Sequence, residues 1–210
     1  MTVSTSPTVG YRMRTLPHVG FGLRVAIELD QGGPRREWML LSSTVRDELA
    51  HGDIAAKRIV RFCAPDLGSA QRIHRRLRTA TDLDWEHRQL TMVDLHVHIG
   101  SDIRLLLTEF EREGQVRAGK ESLRYVGTAT GLAGLISDIH AAGVADGVTL
   151  IPIKPEESLE PILYETLPNL VARGTLSHYG GSVAGAATWA RQLRSESRQH
   201  QKTEREASFT

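Results

Sequence analysis

The sequence predicts an α/β fold in which parallel strands are joined by crossover helices. The prediction rests on the stretch from Tyr125 to Leu176, where two β-leaning runs are separated by an amphipathic helix and followed by a second helix. Two strands joined by one helix run parallel in a right-handed crossover, whereas a short hairpin would make them antiparallel. A chain of 210 residues can bury one core, so we expect a single domain over residues 20–193.

The first crossover helix follows the short strand Arg124–Val126. Gly127-Thr-Ala-Thr-Gly131 is a turn that can cap a helix, with Thr128 or Thr130 as the capping side chain. Gly143 is the predicted end of the helix. Its buried face is predicted by four apolar residues at the spacing i, i+3, i+4 and i+7, namely Leu132, Leu135, Ile136 and Ile139.

The second strand is the apolar run Gly147–Ile153, which is typical of a parallel strand buried on both faces. Ser158 is the predicted cap of the next helix, with Pro161 in its first turn and a kink at Pro168. Gly174 is its predicted end. The inner face of this helix is predicted to consist of Leu159, Ile162, Leu163, Thr166 and Leu170.

The first half of the chain predicts a strand over residues 20–29, and either a hairpin partner or a helix start over residues 37–41. Residues 42–79 are interpreted as three helical segments. The second segment includes Ile59–Cys63, and the third begins at Ser69.

The middle of the chain predicts a strand over residues 91–99 and a helix over residues 101–114. A last helix is predicted over residues 183–193. Residues 1–19 are rich in Ser and Thr, and residues 194–210 are charged and rich in Gln and Ser, so both ends are predicted to be disordered.

Composition and charge exclude several classes of function. The net charge is +1, so no global field favours nucleic acid or an anionic membrane as a partner. The single cysteine, Cys63, excludes an intrachain disulfide and fits a reducing compartment. No apolar run is long enough to span a bilayer, and the first 20 residues do not resemble a signal peptide. We therefore expect a cytoplasmic protein.

Asp94-Leu-His96-Val-His98 is the sharpest local pattern. Alternate residues of a strand share one face, so Asp94, His96 and His98 are predicted to point the same way. Two imidazoles on one face can hold a divalent metal ion, and the string resembles the opening motif of PHP phosphoesterases and, more loosely, of amidohydrolases. Completing such a site needs further ligands, and only His140 and His178 remain among nearby histidines. A metal-dependent hydrolase is therefore an alternative to a polar strand face that meets solvent or a partner subunit.

Two other features have both a functional and a structural interpretation. A basic helix near residue 75 can contact phosphate, but a solvated helix face explains the same charges in a nearly neutral chain. Cys63 has no activating base nearby in sequence and is interpreted as a small core residue. The basic helix is defined by Arg72, His74, Arg75, Arg76 and Arg78.

Three runs carry a resemblance to a known family: Val126-Gly-Thr128, then Ala142–Pro152, and finally Leu167–Gly174. Together they resemble the closing part of the bacterial luciferase-like flavin monooxygenases. The likeness is greatest to the branch that contains nitrilotriacetate and dibenzothiophene-sulfone monooxygenases.

This resemblance implies a (β/α)8 TIM-barrel-like fold, here partial or shortened, since such barrels typically need about 250 residues. It also implies reduced FMN or the deazaflavin F420, dioxygen, a separate flavin reductase and a small organic substrate. It assigns no catalytic residue. Gly127 and Thr128 are the candidate cofactor-binding residues only because backbone N–H groups ahead of a helix can bind phosphate.

A third hypothesis is a non-catalytic remnant or subunit of the same family. An incomplete barrel leaves strand edges and apolar surface that another chain must cover. Pairing of two copies meets this need, so we expect a homodimer.

Overall fold

The computed structural model describes much of the chain between residues 22 and 195. The described ranges are 22–30, 36–42, 59–81, 89–100, 103–109, 122–180, 183–192 and residue 195. The ends predicted to be disordered lie outside these ranges, apart from Ser195, which is helical. The predicted helical segments between residues 43 and 58 also lie outside them. No helix in the described ranges has the length and apolar character needed to cross a membrane.

Within the described ranges six strands form one sheet, and helices follow most of them. The strands are β1 (Arg24–Asp30), β2 (Arg36–Leu40), β3 (Ile59–Phe62), β4 (Leu90–Ile99), β5 (Leu123–Gly127) and β6 (Gly147–Pro152). The helices are α1 (Leu67–Thr81), α2 (Ile103–Glu109), α3 (Ala129–Ala141), α4 (Pro155–Pro161), α5 (Leu167–Ala172) and α6 (183–192).

The strands are arranged in the order β2-β1-β6-β4, with β3 and β5 both paired to the far edge of β4. This arrangement is possible because β4 has ten residues. Its first half pairs with β3, and its second half pairs with β5. Only β2 is antiparallel to its neighbour, whereas β1, β3, β4, β5 and β6 pair in parallel. The predicted parallel α/β architecture is confirmed.

The crossover from β5 through α3 to β6 passes over one strand. β4 lies between β5 and β6 and pairs with both of them. The two strands predicted from the sequence to form a crossover unit are therefore parallel members of one sheet without being neighbours.

The apolar core lies on one face of the sheet. Alternate residues of β1 and β4 are fully buried there, and α3 and the helices after β6 pack against them. The four apolar residues predicted for the inner face of the last crossover helix are buried, as is Thr166. The central strand residues of this core are Val25, Ile27, Leu29, Val93, Leu95, Val97, Val148 and Leu150.

The predicted ends of α3 are confirmed. Thr128 is its N-cap, and the Thr128 hydroxyl accepts the N–H of Gly131 at 3.2 Å. The chain leaves the helix at Gly143, whose φ of +62° suits a residue without a side chain. Leu132, Ile136 and Ile139 of the predicted stripe are buried.

Ile59–Phe62 is a strand, so the prediction of a helix there was wrong. Ile59 and Val60 are β-branched residues, and the segment pairs with Leu90–Val93 of β4. The following helix was predicted correctly but starts earlier than Ser69. Asp66 precedes it, and its carboxylate accepts the N–H of Ser69 at 2.7 Å. This hydrogen bond lowers the pKa of Asp66.

The helix after β6 begins at Pro155, and Ser158 does not cap it as predicted. Ser158 is buried inside α4, where its hydroxyl accepts the N–H of Ile99 at 3.3 Å and so ties the helix to the end of β4. Pro161 is the last residue of α4 instead of lying in its first turn.

The irregularity predicted at Pro168 takes the form of a π-helical turn. Residues Ile162–Thr166 between α4 and α5 are π-helical, and the N–H of Leu167 bonds to the carbonyl of Ile162. Pro168 has no N–H to donate to the preceding turn, which favours such a bulge. The Asn169 side chain donates to the carbonyl of Glu165 at 2.8 Å and satisfies part of the opened turn.

A substitution at Gly147 tests how tightly β6 packs on β1. A Cβ at this position would lie 2.5 Å from the carbonyl oxygen of Arg24. We expect Gly147→Ala to lower the free energy of unfolding by about 1–3 kcal/mol, because backbone must move to relieve the overlap. Urea denaturation followed by circular dichroism measures this change.

Gly134→Ala is the matched control. Gly134 lies within α3, and a Cβ there meets nothing within 4 Å. We expect this variant to be more stable than the wild type by about 0.5–1 kcal/mol, because alanine favours the helix. Equal effects of the two substitutions would contradict the packing described for β6.

Candidate functional site

The sheet face opposite the apolar core carries most of the buried charge. Strand pairing shows that the charged residues share this face, since Asp94 is paired with Thr149 and His96 with Arg124. We call this surface the polar sheet face. It comprises Arg24, Glu28, Arg61, Asp94, His96, His98, Arg124 and Thr149.

Arg61 is the centre of this face. Its Nε and Nη2 each donate to one oxygen of Asp94 at 3.0 Å, in a two-pronged contact. Its Nη1 donates to Glu28. Both carboxylates are largely buried, and Arg61 is 30% exposed. One guanidinium therefore neutralises two acids contributed by different strands.

The contact between Arg61 and Glu28 shows that the sheet curls towards this face. Arg61 lies on β3 and Glu28 on β1, with β4 and β6 between them. Three strand spacings amount to about 14 Å across a flat sheet, before any offset along the strands is counted. The two side chains meet because the sheet is concave on this side.

Cys63 lies at the rim of the polar sheet face. The structure contradicts its interpretation as a core residue, since the side chain is exposed. Its thiol donates to Asp94 at 3.6 Å. Partial desolvation and the nearby Asp94 charge raise the pKa of Cys63, so the thiol stays protonated at neutral pH and is a poor nucleophile.

Asp94, His96 and His98 share one face, as predicted, but do not converge. Asp94 is held by Arg61. Asp94 and His98 are separated by about 13 Å along the strand, at about 3.3 Å per residue. Within the described ranges, no group of three or more His, Cys, Asp or Glu side chains is placed to hold a metal ion. His140 on α3 and the exposed His178 lie within the described ranges and belong to no such group.

His98 marks the carboxyl end of β4. It is 1% exposed, and its Nε2 lies 3.6 Å from the Glu157 carboxylate in the first turn of α4. The other oxygen of Glu157 lies 3.7 Å from the ammonium group of Lys154. The ends of β4 and β6 are thus joined to α4 by polar contacts beside the polar sheet face.

The turn containing Gly127 and Thr128 is filled by a tyrosine ring. The Tyr125 hydroxyl donates to the carbonyl of Thr128 at 2.8 Å. A Cβ on Gly127 would lie 2.7 Å from that hydroxyl, and one on Gly131 would lie 2.2 Å from it. The glycines are explained by the room that this phenol needs, and Thr128 caps the helix.

Sequence reasoning did not single out Glu28 and Arg61 as site residues. Each is a charged residue within a short run of β-branched and apolar residues, Val25-Ala-Ile-Glu-Leu29 and Ile59-Val-Arg-Phe62. A charged residue within such an apolar run was the signal that could have marked each of them as a site residue. What it contacts depends on strand order and curvature, which no local pattern reports.

A groove of about 420 Å³ lies away from the polar sheet face. It is formed by β2 and α6, with Trp189 as its largest side chain. No residue of the polar sheet face lines it. The lining residues are Glu37, Met39, Ala184, Gly185, Thr188, Trp189 and Gln192.

Comparison with known proteins adds no family to these observations. No protein-family model matches the sequence, and no curated protein matches it significantly.

The Arg61 contacts predict a large stability cost for Arg61→Ala. Removing the guanidinium takes the two-pronged contact from Asp94 and one ion pair from Glu28, and breaking a buried pair in this way costs about 3–5 kcal/mol. Urea denaturation at pH 7 measures the loss. The triple variant Glu28→Gln, Arg61→Met, Asp94→Asn should recover part of it, because the guanidinium is then removed together with the two carboxylates that it contacts.

The control for this experiment is Arg76→Ala, which removes an exposed arginine from α1. We expect it to change the free energy of unfolding by less than about 0.5 kcal/mol. If Arg61→Ala changed the free energy of unfolding no more than this control does, the ion pairs of Arg61 would contribute nothing to stability.

The Tyr125 contact predicts an interaction between two substitutions. In the wild type, Gly131→Ala should destabilise by about 1 kcal/mol, because the new Cβ displaces the phenol and breaks its hydrogen bond to Thr128. In the Tyr125→Phe background, the same change should be neutral or stabilising, because alanine favours the helix. Thermal denaturation of the four proteins gives the coupling energy. Additive effects would show that the hydroxyl does not occupy the helix start.

Proposed function

We propose that this chain is a luciferase-like flavin-dependent oxidoreductase whose polar sheet face binds the flavin or its substrate. The observation that carries the proposal is this face itself. Ion pairs and histidines on a largely buried surface cost more to fold than apolar side chains of the same size. A surface that lowers stability in this way is typical of a site that serves binding or catalysis.

The local structure from β5 to α5 also supports the proposal. The runs that resemble the luciferase-like monooxygenases fold in the implied sequence of strand, helix, strand and helix. The curl of the sheet supports a partial (β/α)8 barrel with the polar sheet face inside. The position of β4 between β5 and β6 departs from an order in which consecutive strands are neighbours.

The best position for an anionic ligand is near the carboxyl ends of the parallel strands. Ligands of α/β sheets and barrels bind at that end. His96 lies in the carboxyl-terminal half of β4 and is paired in register with Arg124, the second residue of β5. Both side chains are half-buried. A guanidinium recognises phosphate through parallel N–H donors. Arg124 and His96 are therefore the residues proposed to hold the phosphate or another anionic group.

The remaining residues of the face would shape and orient the site. Reduced flavin, when bound, supplies the chemistry that activates dioxygen. Arg61 keeps Glu28 and Asp94 neutralised, so that the two carboxylates do not repel an anion. The Trp38 indole donates to the Thr149 hydroxyl at 3.4 Å and so links β2 to β6 across β1 on this face.

Titration of the purified protein with FMN, followed by flavin fluorescence, tests this proposal. We expect saturable binding with a Kd in the micromolar range, which corresponds to a binding free energy of about −8 kcal/mol. Arg124→Gln should weaken it about tenfold by removing a charge-assisted contact. The control Arg173→Gln removes an exposed arginine after α5 and should leave binding unchanged.

Absence of binding by FMN, reduced FMN and F420 would overturn the flavin proposal. It would favour the second candidate, a subunit that acts through a homodimer. In the described sheet β2 is paired with β1 alone, and Tyr164 is 60% exposed on the π-helical turn. Light scattering of the same sample would then give twice the chain mass of 23.2 kDa. A single-chain mass would exclude this candidate too.

A further inference from the structure

A second polar cluster lies at the opposite end of the sheet, where β4 and β6 begin. His74 on α1 is 3% exposed, and its Nδ1 lies 2.6 Å from the hydroxyl of Thr91. The Thr91 hydroxyl lies 2.9 Å from the carboxylate of Asp146, and the same oxygen accepts the N–H of Thr91 at 3.1 Å. We call this chain of contacts the His74 relay.

The direction of each hydrogen bond in the relay follows from the chemistry of its members. The Asp146 carboxylate can only accept, so the single hydroxyl proton of Thr91 is donated to it. The Thr91 oxygen must then accept from His74, whose Nδ1 carries the proton. Neutral His74 is therefore the Nδ1–H tautomer, and an additional proton can bind only at Nε2.

The relay joins three separate parts of the fold. His74 belongs to α1, Thr91 to β4, and Asp146 to the turn before β6. The backbone also connects these parts, because the N–H of Asp146 donates to the carbonyl of Thr91 at 3.0 Å and the N–H of Arg24 donates to the carbonyl of Asp146 at 3.2 Å. The buried imidazole of His74 is thus one of the contacts that dock α1 on the sheet, together with the apolar packing of Ala70 and Ile73.

We propose that the His74 relay is an acid-sensitive latch that holds α1 on the sheet at neutral pH and releases it when His74 is protonated. Among the described residues packed on His74, β4 contributes the uncharged Thr91 and the turn before β6 contributes Asp146. Arg78 on α1 lies 3.6 Å from the other oxygen of Asp146. A protonated His74 would place a second cation near that carboxylate, on a side chain that is only 3% exposed.

Burial is the main reason for the sensitivity. Desolvation lowers the pKa of His74; the Asp146 charge opposes this effect, and the Arg78 charge adds to it. The unfolded chain therefore binds a proton at a higher pH than the folded chain does. The stabilisation is complete above the ordinary histidine pKa of about 6.5 and is lost as the pH falls through the lower pKa of the folded protein.

Urea denaturation between pH 8 and pH 4.5 tests the latch by comparison with His74→Asn. The asparagine amide can still donate to Thr91, but it does not titrate. We expect the unfolding equilibrium constant of the wild type to rise with acidity more steeply than that of the variant. The difference between the two slopes should be at most about tenfold per pH unit, which corresponds to one additional proton bound on unfolding. His178→Asn, at an exposed position, should keep the wild-type slope. Equal slopes for the wild type and His74→Asn would overturn the proposal.

Two measurements on the wild-type protein do not depend on the variant folding. Two-bond 1H–15N spectra should show His74 as the Nδ1–H tautomer at pH 8. The hydrogen-exchange protection factors of α1, which correct for the intrinsic pH dependence of exchange, should fall below pH 6 before those of α3 do. An Nε2–H tautomer, or a parallel fall in the protection factors of both helices, would contradict the latch. Since these results do not involve FMN, they are independent of the proposed flavin function.

Discussion

The bridge made by Arg61 is the constraint on which the shape of this sheet depends. It connects β3 to β4 through Asp94 and to β1 through Glu28, across two intervening strands. The two acids are largely buried, so the guanidinium that pairs with both of them offsets part of the cost of their desolvation. The curl of the sheet brings Arg61 to Glu28, and the bridge in turn neutralises two acids on the concave face.

The two ends of the sheet are stabilised by different polar contacts. At the amino ends of β4 and β6, the His74 relay docks α1 and is largely closed to solvent. At the carboxyl ends, Ser158 and Glu157 tie α4 to β4, and Glu157 is 48% exposed. A closed network at one end and a partly open one at the other is the division that parallel α/β proteins use for stability and for ligand binding. This division favours the carboxyl-terminal half of β4, where His96 lies, as part of the proposed ligand position.

Much of the local structure could be predicted from residue patterns. The stripe from Leu132 to Ile139, the cap at Thr128 and the buried strand starting at Gly147 appear where periodicity placed them. Errors occurred where tertiary contacts outweighed a local signal. Ile59–Phe62 became a strand because β4 supplied a partner edge, and Ser158 became a buried helix residue because it reaches the end of that same strand.

The candidate site was predictable only in part. Alternation along β4 was enough to place Asp94, His96 and His98 on one face, because the side-chain direction in a strand repeats every two residues. It could not show that Arg61 would form an ion pair with Asp94, or that the Tyr125 ring would fill the turn at Gly127. Those contacts join residues that are distant in sequence or depend on the direction of a side chain.

By itself, the sequence determined the class of this fold, the crossover elements and the apolar face on which the helices pack, since these follow from periodicity and backbone preference over short segments. The tertiary structure alone decided the order of the strands, the concave curl and the grouping of Glu28, Arg61 and Asp94. Strand order is set by long-range pairing, and the energy of a charged group depends on neighbours that folding brings within a few ångströms.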